Sequence, residues 1–347
     1  MGGFNRRRTD VTASEPTRYG VEHATLDAQP VVMLHDRTTD RHVRIALHGA
    51  ALIGFEVPFD GGRHDLADGY RDAREVGGHP GSRFAIMVPF AGRIAEARYH
   101  FDGVTQDLQP GVTSDRGSRH GFVRDADFEV ARLVADAAAA RVSLRTDAIR
   151  PRPGYPHAID LTIDFSLDDG GLTLEACMKN VGDTLAPCFF GWHPYFRLPG
   201  GGLVDDWSLQ IPAQTLIRTG ADLIALPGDA ARVALDDAPA LDFRESRRIG
   251  NSILDQGYTD LEADADGRIR TRLGDPVRGL AIAVWQERGV MHAFTADTVA
   301  RDVRRAIALE PMECMADAFN RPECVDAIAL APGRERHFRC GIEVAGA

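Results

Sequence analysis

The chain has 347 residues, 44% of them hydrophobic and 26% charged, an ordinary globular composition with enough length for one large domain or two average ones. Its formal net charge of -11 excludes the concentrated positive charge that phosphate backbones demand, so no nucleic-acid partner is expected. No stretch approaches the roughly 18 apolar residues of a membrane span. The five cysteines, an odd number with no C-x-x-C spacing, make neither a disulfide framework nor a zinc site, and reduced thiols in a cytoplasmic protein are expected.

Arg6, Arg7 and Arg8 sit near the start, but polar residues follow and no apolar export core is present, so residues 1–16 read as a disordered leader. Beyond it, period-2 alternation dominates. It marks "HVRIALHGA" (42–50), then "DFEVARLVA" (127–135) and "ARVSLRTDA" (140–148). The alanine-rich "ADAAAARV" (135–142) between them fits a short helix or a hairpin tip. In "HAIDLTIDFSL", Ile159, Leu161, Ile163, Phe165 and Leu167 alternate with polar residues, and after Asp168-Asp169-Gly170-Gly171 the pattern resumes with Leu172, Leu174, Ala176 and Met178, which predicts a β-hairpin. Further strands are expected at "RIRTRL" (268–273), "LAIAVWQE" (280–287), "MHAFTAD" (291–297) and "HFRCGIEV" (337–344). Residues 60–82 and 220–260 read as long polar loops of the kind that carry binding sites. Many short strands without βαβ alternation indicate an all-β fold, a large antiparallel β-sandwich over residues 17–347 in one domain.

No G-x-S-x-G, G-x-G-x-x-G, Walker A or H-E-x-x-H pattern occurs, which moves cofactor-free chemistry up the list. Most histidines sit in ordinary settings, His48 in a strand, His64 and His79 in loops. Two stand apart. His120 lies between Arg119 and Gly121, and His193 lies in "FFGWHPYFRLPG" (189–200), where Phe189, Phe190, Trp192, Tyr195 and Phe196 crowd one segment. Such crowding marks core or the wall of a ligand site, and strand alternation allows only about half of these side chains to face a ligand. Arg93 follows an apolar strand and a glycine, Glu310 ends the apolar run "AIALE", and Asp255 lies in "SILDQGYTDL".

In chain order, "GRIAEARYHFDG" (92–103), "RHGFVRDADFEV" (119–130), "GWHPYFRLPG" (191–200), "LDQGYTDL" (254–261) and "ALEPMECMADAFN" (308–320) resemble the aldose 1-epimerase (galactose mutarotase-like) family. The match spans nearly the whole chain, and its "HPYF" and "LEP…DAFN" pieces resemble the less characterised branch. The resemblance implies a β-sandwich with a sugar cleft on one sheet, Glu310 as catalytic base, His193 as catalytic acid, and Arg93, His120 and Asp255 on sugar hydroxyls. It implies a small-molecule sugar as the partner and no cofactor or metal, with a monomer or homodimer expected. Gly92 stands where the family often has Asn, "HPYFR" where galactose-dedicated members read H-S-Y-F-N, and Met312 where Gln is common, so the substrate sugar stays open.

The chemistry suits these residues. Exchanging two anomers moves one proton off the C1 hydroxyl and one onto the ring oxygen, which one base and one acid accomplish. On reference values an ionised glutamate and a histidine held protonated by nearby negative charge would serve. Other readings remain: a sugar-binding protein without catalysis; a glycoside hydrolase pairing Glu310 with Glu313 or Asp317; a metal held by His120, His193 and Glu310. Arg197, beside the "HPYF" piece, could meet an anionic substituent.

Overall fold

In the computed structural model, which describes residues 17–108 and 119–346, the alternating segments become strands. The expected leader, residues 1–16, lies outside the described residues. Strand Ile159–Asp168 pairs with Gly171–Asn180 in the anticipated hairpin, with Phe165 opposite Leu174 and Asp168 opposite Gly171. The Gly170 N–H donates to Asp168 Oδ1 at 2.8 Å, which closes the two-residue turn. Ile159, Leu161, Ile163, Phe165 and Leu167 are all buried, each stabilising the fold by about 1.5–3 kcal/mol relative to exposure. The alanine-rich segment is a hairpin tip: Asp136 Oδ1 accepts from the backbone of Ala138 and Ala139, turning Glu129–Ala135 into Ala140–Ile149.

Among the described residues the strands form an antiparallel β-sandwich whose larger sheets have nine and eight strands. The nine-stranded sheet centres on Ala281–Gln286, Glu335–Ala345, Gly171–Asn180 and Ile159–Asp168; the eight-stranded sheet centres on Ala213–Ile217, Asp255–Leu261, Val290–Phe294 and Ile307–Met312. Inward side chains of both sheets join one hydrophobic cluster that runs from Tyr19 to Ile342. A five-stranded meander, Tyr19–Leu26 to Gly62–Asp65, packs at the Glu129–Ala135 end of the nine-stranded sheet.

Both expected loops hold structure. Residues 60–82 contain strand Gly62–Asp65, which places His64 in a strand, and helix Ala73–Gly78. Asp72 caps that helix by accepting from the Glu75 N–H at 2.8 Å, and His79 ends it in the left-handed region at φ 49°. Only Val76 of its six residues is buried, so it has no apolar stripe to betray it in sequence. His48 lies just past strand Arg41–Ala46 and makes only an isolated bridge to Asp127. In 220–260, Asp255 is no loop residue: it opens strand Asp255–Leu261 in the middle of the eight-stranded sheet. Its only large apolar residues, Tyr258 and Leu261, stand three apart, so it lacks the alternation that marks the other strands.

Candidate active site

Three adjacent strands of the eight-stranded sheet build the floor of a cavity of about 350 Å³, within the size range of small-molecule sites. Register sets the geometry: His292 lies directly opposite Glu310, and on the other side opposite Gly257, next-but-one to Asp255. Side chains on one face of a sheet sit about 5 Å apart across strands. Asp255 Oδ1 and His292 Nε2 are accordingly 2.9 Å apart. His193 arrives from the two-residue strands Gly191–Trp192 and Tyr195–Phe196, both paired with Ile307–Met312. Its backbone is fixed from both sides, by its N–H to Ala85 O at 3.1 Å and by the Phe84 N–H to its carbonyl at 2.8 Å. That places His193 Nε2 3.3 Å from Glu310 Oε1, with both side chains buried.

A second wall comes from Gly92, Arg93, Arg119 and His120. The His120 N–H donates to Gly92 O at 2.9 Å, Arg93 bridges to Arg119, and the His120 ring meets the His193 ring edge-on at 5.2 Å. His120 takes φ 60° and Gly121 φ 66°. A Cβ on Gly121 would lie 2.1 Å from Val88 O, so glycine is required for the turn that presents His120. All five residues singled out in the sequence, Glu310, His193, Arg93, His120 and Asp255, line this one cavity.

The aromatic segment divides its labour. Tyr195 alone of its five aromatics lines the cavity, with its ring parallel to His193 at 5.0 Å and 8°. Trp192 and Phe196 pack edge-on against Phe84, Phe189 against Phe319, and Phe190 lies tilted on Phe338, all within the core. The Arg83 guanidinium also lies over the Tyr195 ring, at 4.8 Å from its centroid. Arg83 is itself held by the buried carboxylate of Asp68, which also binds Arg301 at 3.0 Å. Tyr195 thus contacts both Arg83 and the parallel His193 ring, which holds the plane of the imidazole.

Burial decides the protonation. It pushes the Glu310 carboxyl up to about 8, against the opposing pull of His292, and it pushes His193 down to about 3, with His292 adding to the effect. The pair therefore holds one proton at neutral pH, favoured on the carboxyl; this reverses the reference-value expectation because both groups are desolvated. Burial also lowers His120. Burial alone would lower His292, but the charge of Glu310 when it is ionised, and the hydrogen bond and charge of Asp255, outweigh it and hold the imidazole above its ordinary value. Desolvation would raise Asp255, yet the hydrogen bond and charge of His292 hold it down. Asp255 and His292 thus form the charged pair of the site. His292 carried a signal the sequence reading passed over: it is a polar residue two before Phe294 in a buried strand.

Several alternatives fall away. Glu313 lies outside the cavity wall, accepting from the Phe190 N–H and Arg288, because it follows Glu310 by an odd step. Asp317 is also outside the wall, and its Oδ1 accepts from the Ala95 N–H at 2.9 Å. Neither pairs with Glu310 as a hydrolase would need. Arg197 does not line the cavity either; the chain leaves its strand after Phe196, and the cationic lining comes from Arg93 and Arg119. His120, His193 and Glu310 do not converge as a three-ligand set, and among the described residues the convergent sets are elsewhere.

An antiparallel sandwich with this cavity on one sheet is a fold of the galactose mutarotase-like kind. The chain belongs to the aldose 1-epimerase family, whose model matches residues 31–343. In sequence it is similar to the uncharacterized protein YihR of Escherichia coli K12, 25% identical over 72% of this chain and 75% of that one, and to a maltose epimerase of Levilactobacillus brevis, 24% identical over 88% and 92%. In structure it is similar to a galactose 1-epimerase from Lactobacillus acidophilus, with a TM-score of 0.77 at 17% identity over 95% of this chain and 99% of that one. It is equally similar to an aldose epimerase homologue from C. elegans, with a TM-score of 0.77 at 17% identity over 94% and 99%.

Proposed function

We propose that the protein interconverts the α and β anomers of a free or modified aldose, with Glu310 and His193 as the proton-transfer pair. The carrying observation is the 3.3 Å contact between these two buried groups in the cavity. A bound sugar places its C1 hydroxyl on Glu310 and its ring oxygen on His193. The carboxylate takes the hydroxyl proton as the imidazolium gives one to the ring oxygen; the C1–O5 bond breaks and the open aldehyde forms. Rotation about C1–C2 presents the other face, and the transfers run backward to close the ring. No net proton is gained, so the pair returns to its starting state without a metal or redox group.

Hydrogen bonds from the sugar to both ionised groups offset the burial that favours the neutral pair, and the neighbouring His292 cation favours the Glu310 carboxylate. Each positioned transfer contributes about 10²- to 10⁴-fold. Arg93, His120 and the Asp255–His292 pair grip the remaining hydroxyls, and Tyr195 keeps His193 in plane. Family membership and the relative named a maltose epimerase support an aldose at the reducing end. The test is polarimetry of freshly dissolved pure anomers of glucose, galactose, xylose, arabinose and maltose. Accelerated decay with at least one sugar, absent in His193→Asn, is expected; no acceleration of any of them by a protein that still binds sugar would point to a binding role instead.

A further inference from the structure

Strands Gly171–Asn180 and Glu335–Ala345 pair with Cys177 directly opposite His337. Their alternate residues Ala176, Met178, Phe338 and Cys340 are buried, so Glu175, Cys177, Glu335 and His337 share the outer face of the nine-stranded sheet. There Cys177 Sγ lies 3.7 Å from His337 Nε2, and Glu335 Oε2 lies 3.8 Å from the same nitrogen. A tetrahedral zinc ion with Zn–S of about 2.3 Å and Zn–N and Zn–O of about 2.0–2.1 Å separates its ligand atoms by about 3.4–3.6 Å. Two sides of the ligand triangle thus stand within about half an ångström of that spacing, and all three ligand atoms lie within 4.8 Å of one another.

The surroundings orient each ligand. His337 Nδ1 lies 3.3 Å from Glu175 Oε1, which keeps the proton on Nδ1 and leaves the Nε2 lone pair toward Cys177, the carboxylate support common behind metal-bound imidazoles. Glu175 is steadied through its other oxygen by Arg339 at 3.5 Å. Lys179 takes Glu335 Oε1 at 3.1 Å, leaving Oε2 for the cluster. We infer that Cys177, His337 and Glu335 form a three-ligand site for a divalent transition metal of the zinc class, with its fourth position open to solvent. Thiolate, imidazole and carboxylate together favour that class over calcium or magnesium. On binding, the Cys177 S–H bond gives way to an Sγ–metal bond and the proton passes to water. The ligands are brought together by strand register across a separation of 160 residues, so no close-spaced sequence motif announces them. Among the described residues the other three-ligand set is His48, His79 and Asp125; its two imidazole planes are near-parallel at 16° with centroids 5.3 Å apart, a stacking arrangement that gives the rings a packing role without a metal, and it offers no thiolate.

The test is titration of reduced, metal-free full-length protein with Co²⁺, followed by displacement with Zn²⁺. Four of the five cysteines are buried and Cys177 is not, so a thiolate-to-cobalt charge-transfer band reports this residue. One equivalent giving the band, its loss in Cys177→Ser and in His337→Ala, and an affinity weakened about 10- to 100-fold in Glu175→Gln are expected. No band with excess cobalt, a band that survives Cys177→Ser, or binding abolished by His79→Ala instead would overturn the proposal.

Discussion

Replacing Glu310 by Gln should cripple turnover and yet stabilise the folded chain at alkaline pH. The side chain keeps its shape but can no longer ionise. Burial raises the carboxyl from 4.5 to about 8. In the unfolded chain the group loses its proton near 4.5; in the folded chain it keeps it until about 8. Stability attached to this group is therefore fully present below the unfolded value and is lost as pH rises through the folded one. The loss grows from under about 1 kcal/mol near about pH 5 to on the order of 5 kcal/mol by about pH 9. Glu310→Gln carries no such loss. Urea unfolding of both proteins across that range should show a gap that widens with pH, whatever constant offset the amide introduces. A gap that stays flat would mean that Glu310 is already ionised at neutral pH in the folded state, and the protonation argument would be wrong. Mutarotase turnover in the same variant should fall about 10²- to 10⁴-fold.

Three further outcomes are expected. Wild-type turnover should hold through neutral pH and fall above about 8, where Glu310 loses the pair's proton and no acid remains; a pH–rate profile still rising beyond that point would contradict this. Asp255→Asn removes the counter-charge of His292, a charged hydrogen bond of about 1.5–3 kcal/mol, so steady-state kcat/KM should drop by about 10- to 100-fold. Arg83→Met strips the cation from the Tyr195 face and removes one of the two arginines that hold Asp68; stability should fall by about 1.5–3 kcal/mol in denaturant, and kcat should fall with KM little changed as the His193 plane loosens.

How much the sequence disclosed follows from what each signal depends on. Alternation at Ile159–Asp168 and Gly171–Asn180 is a local consequence of having one buried face, and it gave the hairpin and its turn directly. The strand Asp255–Leu261 escaped notice because its two large apolar residues, Tyr258 and Leu261, do not alternate, and helix Ala73–Gly78 because it buries a single residue. The cavity residues named from sequence do come together, but through the family resemblance; composition and spacing alone left each with an ordinary reading. His292 was missed since its importance lies in register, opposite Glu310 and diagonal to Asp255. The aromatic crowding around His193 was legible, whereas its division into core and cavity wall needed the packing. The same limit hid Cys177 and His337, which only strand pairing unites.

Catalysis of anomer exchange by the Glu310–His193 pair is open to direct test by magnetisation transfer between the α and β anomeric proton resonances of an equilibrated aldose. Saturating one resonance should diminish the other with wild-type protein present, for at least one aldose, and should leave it untouched with Glu310→Gln, with His193→Asn, or with the corresponding methyl glycoside, which has no C1 hydroxyl proton to remove. Exchange undiminished in both variants would contradict the assignment of the pair.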